Sequence, residues 1–341
     1  AVGYASWHIF LHYGLLLDPV FPSLTIVILF VLAALLDYIR TESERKHVRD
    51  AFSHYISPDF MKELTEDPDK LKLGGEVRDL TVMFTDIRGF TSISEKLSPE
   101  ALIQLMNDFL TPMSALVMEN RGTIDKYMGD AMMAFWNAPL DDENHARHAC
   151  LTALKMNAAL APINDRLKAE GLPIVLAAGI GINTGPASVG NMGSKQRFAY
   201  SALGDTVNLA SRLEGQTNAY GVTNLIGEET ARKVSDLALL ELDLLRVKGK
   251  TEPVRIYTLI GDEAAAASDR FASWRALHEK MISAYRAMGF EGAENLIAEC
   301  RKASGGALDN FYTMFAERVK SLKTNRPGLG GWDGVYEATS K

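Results

Sequence analysis

Residues 80–91 read LTVMFTDIRGFT and residues 125–136 read DKYMGDAMMAFW. The run 80–85 is a short apolar strand, and it ends on Asp86 with Gly89 close behind. In the second stretch, two strand-like runs, 123–128 and 131–136, are joined by Gly129 and Asp130, residue types that suit a tight hairpin turn. Asp86 therefore stands at a strand end and Asp130 at a hairpin tip, where carboxylates stay accessible. Brought together, two such groups make an oxygen-rich site for a hard divalent cation. Gly89 lets backbone N–H groups approach an anion closely, as phosphate-cradling loops do. Taken singly, each aspartate has an equally ordinary structural use, one as a strand-end cap and the other as a turn residue.

Around these stretches, residues 78–262 alternate strands and helices, which predicts an α/β sandwich of mixed topology. Ser98, Pro99 and Glu100 open a helix with an N-cap and a first-turn proline, and Leu102, Leu105, Met106, Phe109 and Leu110 form its apolar stripe. A helix is expected over about 143–169, a strand over 174–182, and a helix capped by Asp205 running to about 218. Strands near 224–226, 238–247 and 255–259 complete the unit. On the helix after Asp205, Asn208 and Arg212 are four residues apart and share a face, beside the stripe of Val207, Ala210 and Leu213. An amide and a guanidinium aimed together suit a developing oxyanion on phosphorus; a surface amide and an arginine paired with some acid is the competing reading. The turn Val247-Lys248-Gly249-Lys250 presents two ammonium groups, which in most proteins are simply solvated.

The chain has 341 residues, enough for two or three units, with 36 Lys+Arg against 43 Asp+Glu and a net charge of −7. That balance argues against a nucleic-acid partner, because no cation excess is present to displace counterions. A hydrophobic content of 47% with 23% charged residues excludes wholesale disorder. Two cysteines, Cys150 and Cys300, cannot build a disulfide framework or a four-thiolate zinc site.

The eighteen residues between Asp18 and Asp37 carry no charge and are apolar on all sides, long enough to cross a bilayer and unlike a helix that meets water on one face. Arg40, Arg45, Lys46 and Arg49 follow directly, so the positive-inside rule puts the C-terminal side in the cytoplasm. Residues 1–17 are also nearly uncharged and read as the end of a preceding span. The chain begins with Ala and has no basic start or small-residue cleavage site, which suggests an upstream portion rather than a signal peptide. From 40 to 76 a charged linker helix leaves the membrane, with Val48, Phe52 and Tyr55 as a short apolar seam interrupted at Ser57-Pro58 and again at Asp67-Pro68.

Four motifs stand in order: FTDIRGFT at 84–91, DKYMGDAMMAFW at 125–136, ALGDTVNLASR at 202–212 and VKGK at 247–250. Together they resemble the class III adenylate and guanylate cyclase catalytic domain over about 185 residues. The resemblance implies a ferredoxin-like α/β domain at 77–262 that acts as a homodimer with active sites at the shared interface. It implies that Asp86, Asp130 and the backbone carbonyl of Ile87 bind two Mg²⁺ or Mn²⁺ ions for two-metal catalysis. The turn at Phe90 and Thr91 would contact phosphates. From the partner subunit, Asn208 would orient the ribose and Arg212 would stabilise charge on the α-phosphate, and Lys248 would meet the terminal phosphate. Lys126 matches the lysine that reads adenine in adenylate cyclases, where guanylate cyclases carry an acid; lysine cannot accept a hydrogen bond. Ser201 stands where many adenylate cyclases have Asp, and its hydroxyl can accept from adenine's amine or donate to guanine's carbonyl. The implied activity is conversion of ATP to cyclic AMP and pyrophosphate, with a guanylate cyclase or a non-catalytic nucleotide-binding module as alternatives. Segment 1–39 would anchor it in the bacterial inner membrane with the catalytic domain cytoplasmic, downstream of a CHASE-type sensor.

After Asp262 the composition changes, and 263–341 is predicted as a helical extension. Phe271, Trp274, Leu277 and Met281 share a face, and Met288 to Ala293 resembles the turn of one tetratricopeptide-type helix pair. Residues 326–341 read as an extended end that docks through Trp332 and Tyr336.

Overall fold

The computed structural model describes residues 2–15, 20–53, 74–194, 196–246, 252–325 and 332–337. The chain divides into two compact units, Ala1–Glu66 and Asp67–Lys341. The first contains α1 (Val2–Tyr13) and α2 (Val20–Ser53). Within α2, the segment Ser23–Arg40 has a mean hydropathy of 2.0 and none of it is buried within the chain. It is long and apolar enough to cross a membrane. The helix continues past Arg40 to Ser53 and so carries the basic cluster and the backbone of Val48 and Phe52. Tyr55, the Ser57-Pro58 break and the Asp67-Pro68 turn lie outside the described residues.

The second unit is built on one mixed sheet ordered β2-β3-β1-β4-β6-β8-β7-β9, with β5 paired to β4. In chain order its elements are β1 (Gly74–Ile87), α3 (Phe90–Ser94), α4 (Pro99–Glu119), β2 (Thr123–Met128), β3 (Ala131–Trp136), α5 (His145–Ala169), β4 (Ala178–Gly193) and β5 (Phe198–Leu203). There follow α6 (Asp205–Gln216), β6 (Asn224–Gly227), α7 (Glu228–Lys233), β7 (Ala238–Arg246), β8 (Val254–Gly261) and α8 (Glu263–Ala266). The chain closes with α9 (Asp269–Arg286), α10 (Phe290–Ser304), α11 (Asp309–Thr324) and β9 (Tyr336–Glu337).

The sequence of β4 explains the layering. Gly179-Ile180-Gly181-Ile182 alternates with the period of a strand, so the isoleucines point to one face and the glycines to the other. Ile180 and Ile182 join Met83, Leu105, Phe109, Met113, Val117 and Trp136 in the core beneath α4 and α5. On the opposite face Leu80, Val82, Met133 and Phe135 pack against Val207 and Ala210 of α6. Although α4 also reaches a mean hydropathy of 1.2 over its length, its apolar stripe is buried on the sheet.

Several sequence expectations shift. The first strand is longer than 80–85 and pairs antiparallel with β4 from Gly74 to Ile87. The predicted strand at 174–182 begins only at Ala178, because the Asn164 side chain takes both backbone groups of Leu176, accepting at 2.7 Å and donating at 2.9 Å. It then runs on to Gly193. Helix α6 has Gly204, not Asp205, at its N-cap, with Asp205 in the first turn. Strand β5 and helices α3 and α7 lacked any strong periodic signal, and the C-terminal extension holds three main helices rather than one pair.

Those helices pack on the β7 end of the sheet through Phe271, Trp274, Met281, Tyr285, Phe311 and Phe315. Trp332 donates to the Arg286 carbonyl at 3.0 Å, and Tyr336 adds a parallel strand to β7. His278 is buried and donates from Nε2 to the Glu241 carbonyl at 2.7 Å; its Nδ1 then accepts from Tyr312, whose oxygen accepts from Trp274. Burial holds this imidazole neutral, with its pKa lowered to about 4. Arg318 of α11 forms an ion pair with Asp243 of β7, which is 1% exposed and also accepts from Tyr220 at 2.7 Å. Arg318→Ala would leave that carboxylate buried without a counter-charge, held by Tyr220 and the Leu244 N–H alone, so a loss of about 3–5 kcal/mol is expected in chemical denaturation of the catalytic unit. A loss below about 1 kcal/mol would show that water or a neighbour replaces the guanidinium.

Candidate active site

The antiparallel register places Asp86, next to last in β1, opposite Gly179 of β4. The β1–β3 ladder ends at Thr85 opposite Met132, which brings the β2–β3 turn at Gly129-Asp130 alongside the same strand end. The two carboxyl groups meet there and share a hydrogen bond, while Asp86 also accepts from the Ile87 N–H at 3.0 Å. Burial, then the bond to Asp130 and its charge, then the charge of Glu214 push Asp86 up to about 7, against the Ile87 N–H, which favours the ionised form.

Glu214 reaches this place from α6. A Cβ added to Gly179 would lie 3.0 Å from its carboxylate, and one added to Gly181 would lie 2.2 Å from its backbone nitrogen. The helix thus rests on bare strand, and Glu214 extends over the end of β1. Burial raises it to about 7, with the Arg88 guanidinium pulling down and Asp130 pushing up. Arg88 in turn donates to the Val222 carbonyl, and its backbone nitrogen donates to Ala177 at 2.8 Å.

The donor set here is all oxygen, the carboxyl groups of Asp86 and Asp130. Among the described residues no group of three or more His, Cys, Asp or Glu side chains forms a metal cage. The pair therefore suits hard divalent cations that take their remaining ligands from water and phosphate. Gly89, with φ of 65°, turns the chain into α3, whose first residues are Phe90 and Thr91. Phe90 packs on the core and Thr91 is exposed.

Lys126 of β2 and Ser201 of β5 also come together, with Nζ donating to Oγ at 3.3 Å. Asn208 and Arg212 do not join either group. Asn208 is exposed and Arg212 half-buried on the outward side of α6, and among the described residues neither side chain has a hydrogen-bond or ion-pair partner. An acid paired with Arg212 is thus not found among the described residues. Lys248 lies outside the described residues.

Residues 75–261 match the profile of the adenylate and guanylate cyclase catalytic domain. The chain belongs to this cyclase family. The cyclase domain is 40% identical over 185 residues to adenylate cyclase 1 of Rhizobium meliloti, a match covering 54% of this chain and 28% of that protein. It is 35% identical over 222 residues to an adenylate cyclase of Anabaena cylindrica, covering 62% and 43%. The chain thus spans less than half the length of these two relatives. Among solved structures, the adenylyl cyclase CyaB of P. aeruginosa superposes with a TM-score of 0.53 at 36% identity, over 56% of this chain and 97% of that one. The guanylyl cyclase Cya2 does so with 0.51 at 33% identity, over 56% and 95%. The mixed sheet with its flanking helices is therefore the cyclase catalytic fold.

Sequence reading of the cyclase motifs passed over Arg88, Asp125 and Glu214. Arg88 and Asp125 sit inside the quoted motifs, and Glu214 follows Arg212 by two residues; the signal was present, but only the register and the glycine floor show that these side chains turn inward.

Without cations, the fold favours the protonated form of Asp86. Its contribution is fully present below the unfolded value near 3.8 and is lost as pH rises through about 7. The melting temperature in EDTA, taken as the difference between wild type and Asp86→Asn, should fall across that window. Mn²⁺ should restore it above pH 7 in wild type only. A cation effect of equal size in Asp86→Asn would refute the assignment.

Proposed function

We propose that this chain is a membrane-anchored adenylate cyclase that converts ATP to cyclic AMP and pyrophosphate in a homodimer. The observation that carries the reading is the meeting of Asp86 and Asp130, from a strand end and a hairpin tip, in a shared carboxyl pair of hard oxygen donors. Asp86, Asp130 and the Ile87 carbonyl hold two Mg²⁺ or Mn²⁺ ions. Bound there, the cations supply acidification of the ribose 3′-hydroxyl and neutralisation of the triphosphate. The 3′-oxygen attacks the α-phosphorus, the bond to the bridging oxygen of the β-phosphate breaks, pyrophosphate leaves and the hydroxyl proton passes to solvent.

The remaining roles belong to positions around that pair. Backbone N–H groups at Phe90 and Thr91 steady phosphate oxygens, and Lys248 meets the terminal phosphate. Arg212 donates to the α-phosphate as negative charge builds on it, and Asn208 orients the ribose. Lys126 and Ser201 read the base, with the lysine donating to the ring nitrogen that adenine leaves unprotonated. The outward aspect of Asn208 and Arg212, on a helix whose inner side carries Glu214 toward its own Asp86, supports their use by a partner subunit. Segment 23–40 anchors the chain, and the basic residues after it favour a cytoplasmic catalytic unit. Changes in how two linker helices pack would then reach both sites through subunit alignment.

Asp86→Asn and Arg212→Ala should each abolish cyclic AMP formation while leaving the protein folded. Mixing the two inactive proteins should restore activity, up to about a quarter of wild type for random pairing, since half the dimers then hold one intact site of two. No recovery in a mixture shown to exchange subunits would place both residues in the same chain's site.

A further inference from the structure

We propose that Asp125 is a positioning residue that fixes the hydrogen-bonding polarity of Ser201 and Lys126, so that the pair complements adenine and opposes guanine. The proposal rests on the reading that these two side chains face the substrate base.

The local fold makes Asp125 unusual. In the β2–β3 ladder Ile124 pairs with Ala134 and Lys126 with Met133, so Asp125 is the extra residue of a β-bulge. The bulge breaks the alternation of the strand and turns Asp125 inward: its side chain is fully buried, while that of Lys126 is 46% exposed. Asp125 meets β5 there, where Ser201 pairs with Gly190 of β4. Its Oδ2 accepts from the Ser201 hydroxyl at 2.6 Å and from the Ala202 backbone N–H at 3.2 Å. Its Oδ1 lies 3.2 Å from the Lys126 ammonium. Both hydrogen bonds thus go to Oδ2, while Oδ1 makes none and is met by the lysine's charge alone.

The consequence for Ser201 follows by counting protons. A hydroxyl has one proton and two lone pairs. Asp125 can only accept, so it takes the proton; Lys126 can only donate, and at 3.3 Å it fills one lone pair. Ser201 is left with a single lone pair to offer, which makes it an acceptor alone. Adenine presents a donor amine at its 6-position and an acceptor at ring N1. Guanine presents an acceptor carbonyl and a protonated N1. An acceptor at Ser201 beside a donor at Lys126 matches adenine at both atoms and guanine at neither. The serine's freedom to serve either base, evident from the sequence, is removed by the carboxylate behind it.

The test is discrimination between ATP and GTP by the purified full chain, measured as kcat/KM with Mn²⁺ and as displacement of a fluorescent ATP analogue at equilibrium. Asp125→Asn replaces one carboxylate oxygen by an amide that can donate to Ser201, freeing the hydroxyl proton to point outward. The ATP-to-GTP preference should fall about tenfold or more, chiefly through KM, as expected for one reversed hydrogen bond. In a Ser201→Ala background the same substitution should change the preference by less than about twofold, because the group it acts through is gone. An unchanged preference in folded Asp125→Asn, or an equal fall in both backgrounds, overturns the proposal. Should Asp125→Asn fail to fold, Ser201→Ala alone must lower the preference; if it does not, the proposal also fails. A wild-type chain that prefers GTP in both measurements overturns the adenylate reading and this inference together. Preserved ATP preference with unmoved variants overturns the role of Asp125 only.

Discussion

The close seat of α6 on β4 is the constraint on which the site depends. Its origin is the Gly-Ile-Gly-Ile alternation at 179–182, in which one face of a central strand supplies core bulk and the other supplies none. With the glycines bare, the Ala210 carbonyl and the Glu214 nitrogen come within 2.3 Å of where a side chain at Gly181 would begin. No other residue type fits that gap without moving the helix. Since Gly179 is also the register partner of Asp86, the same absence of side chains lets a third carboxylate approach the end of β1.

Crowding of this kind explains the electrostatics. Asp86 and Glu214 are both raised because they are partly desolvated and face other acids, with the Arg88 guanidinium opposing this at Glu214. Such an arrangement is costly to ionise, because each carboxylate would face another acid in a partly desolvated place. The opposite solution appears at the far end of the sheet. There Asp243, though more deeply buried, is satisfied permanently by Arg318 and Tyr220, and serves to tie α11 to β7.

Much of this was legible beforehand. The hairpin at 123–136 and the strand-end position of Asp86 follow from local turn chemistry and period-two patterning, and the structure reproduces those strands within their stated limits. The helix opened by Ser98 and Pro99 was equally clear, its cap accepting from the Ala101 N–H. What escaped depended on contacts across the chain. The strand onset at Ala178 is decided by an asparagine on a distant helix, and the buried state of Asp125 by a bulge that no residue type announces. Ser201 was singled out by resemblance, yet its donor or acceptor character could only be assigned once its neighbours were known.

Helix α6 has two working edges. Its inner edge is pressed onto the glycines of β4 with almost no clearance, and its outer edge holds Asn208 and Arg212. Twelve residues of α-helix form a stiff rod about 18 Å long, so neither edge can rotate without the other. In the proposed dimer, the rod would lean on the strand beside its own subunit's Asp86 while serving the neighbouring reaction centre. The two centres would then be mechanically in series: a small tilt that tightens contact at one necessarily alters reach at the other.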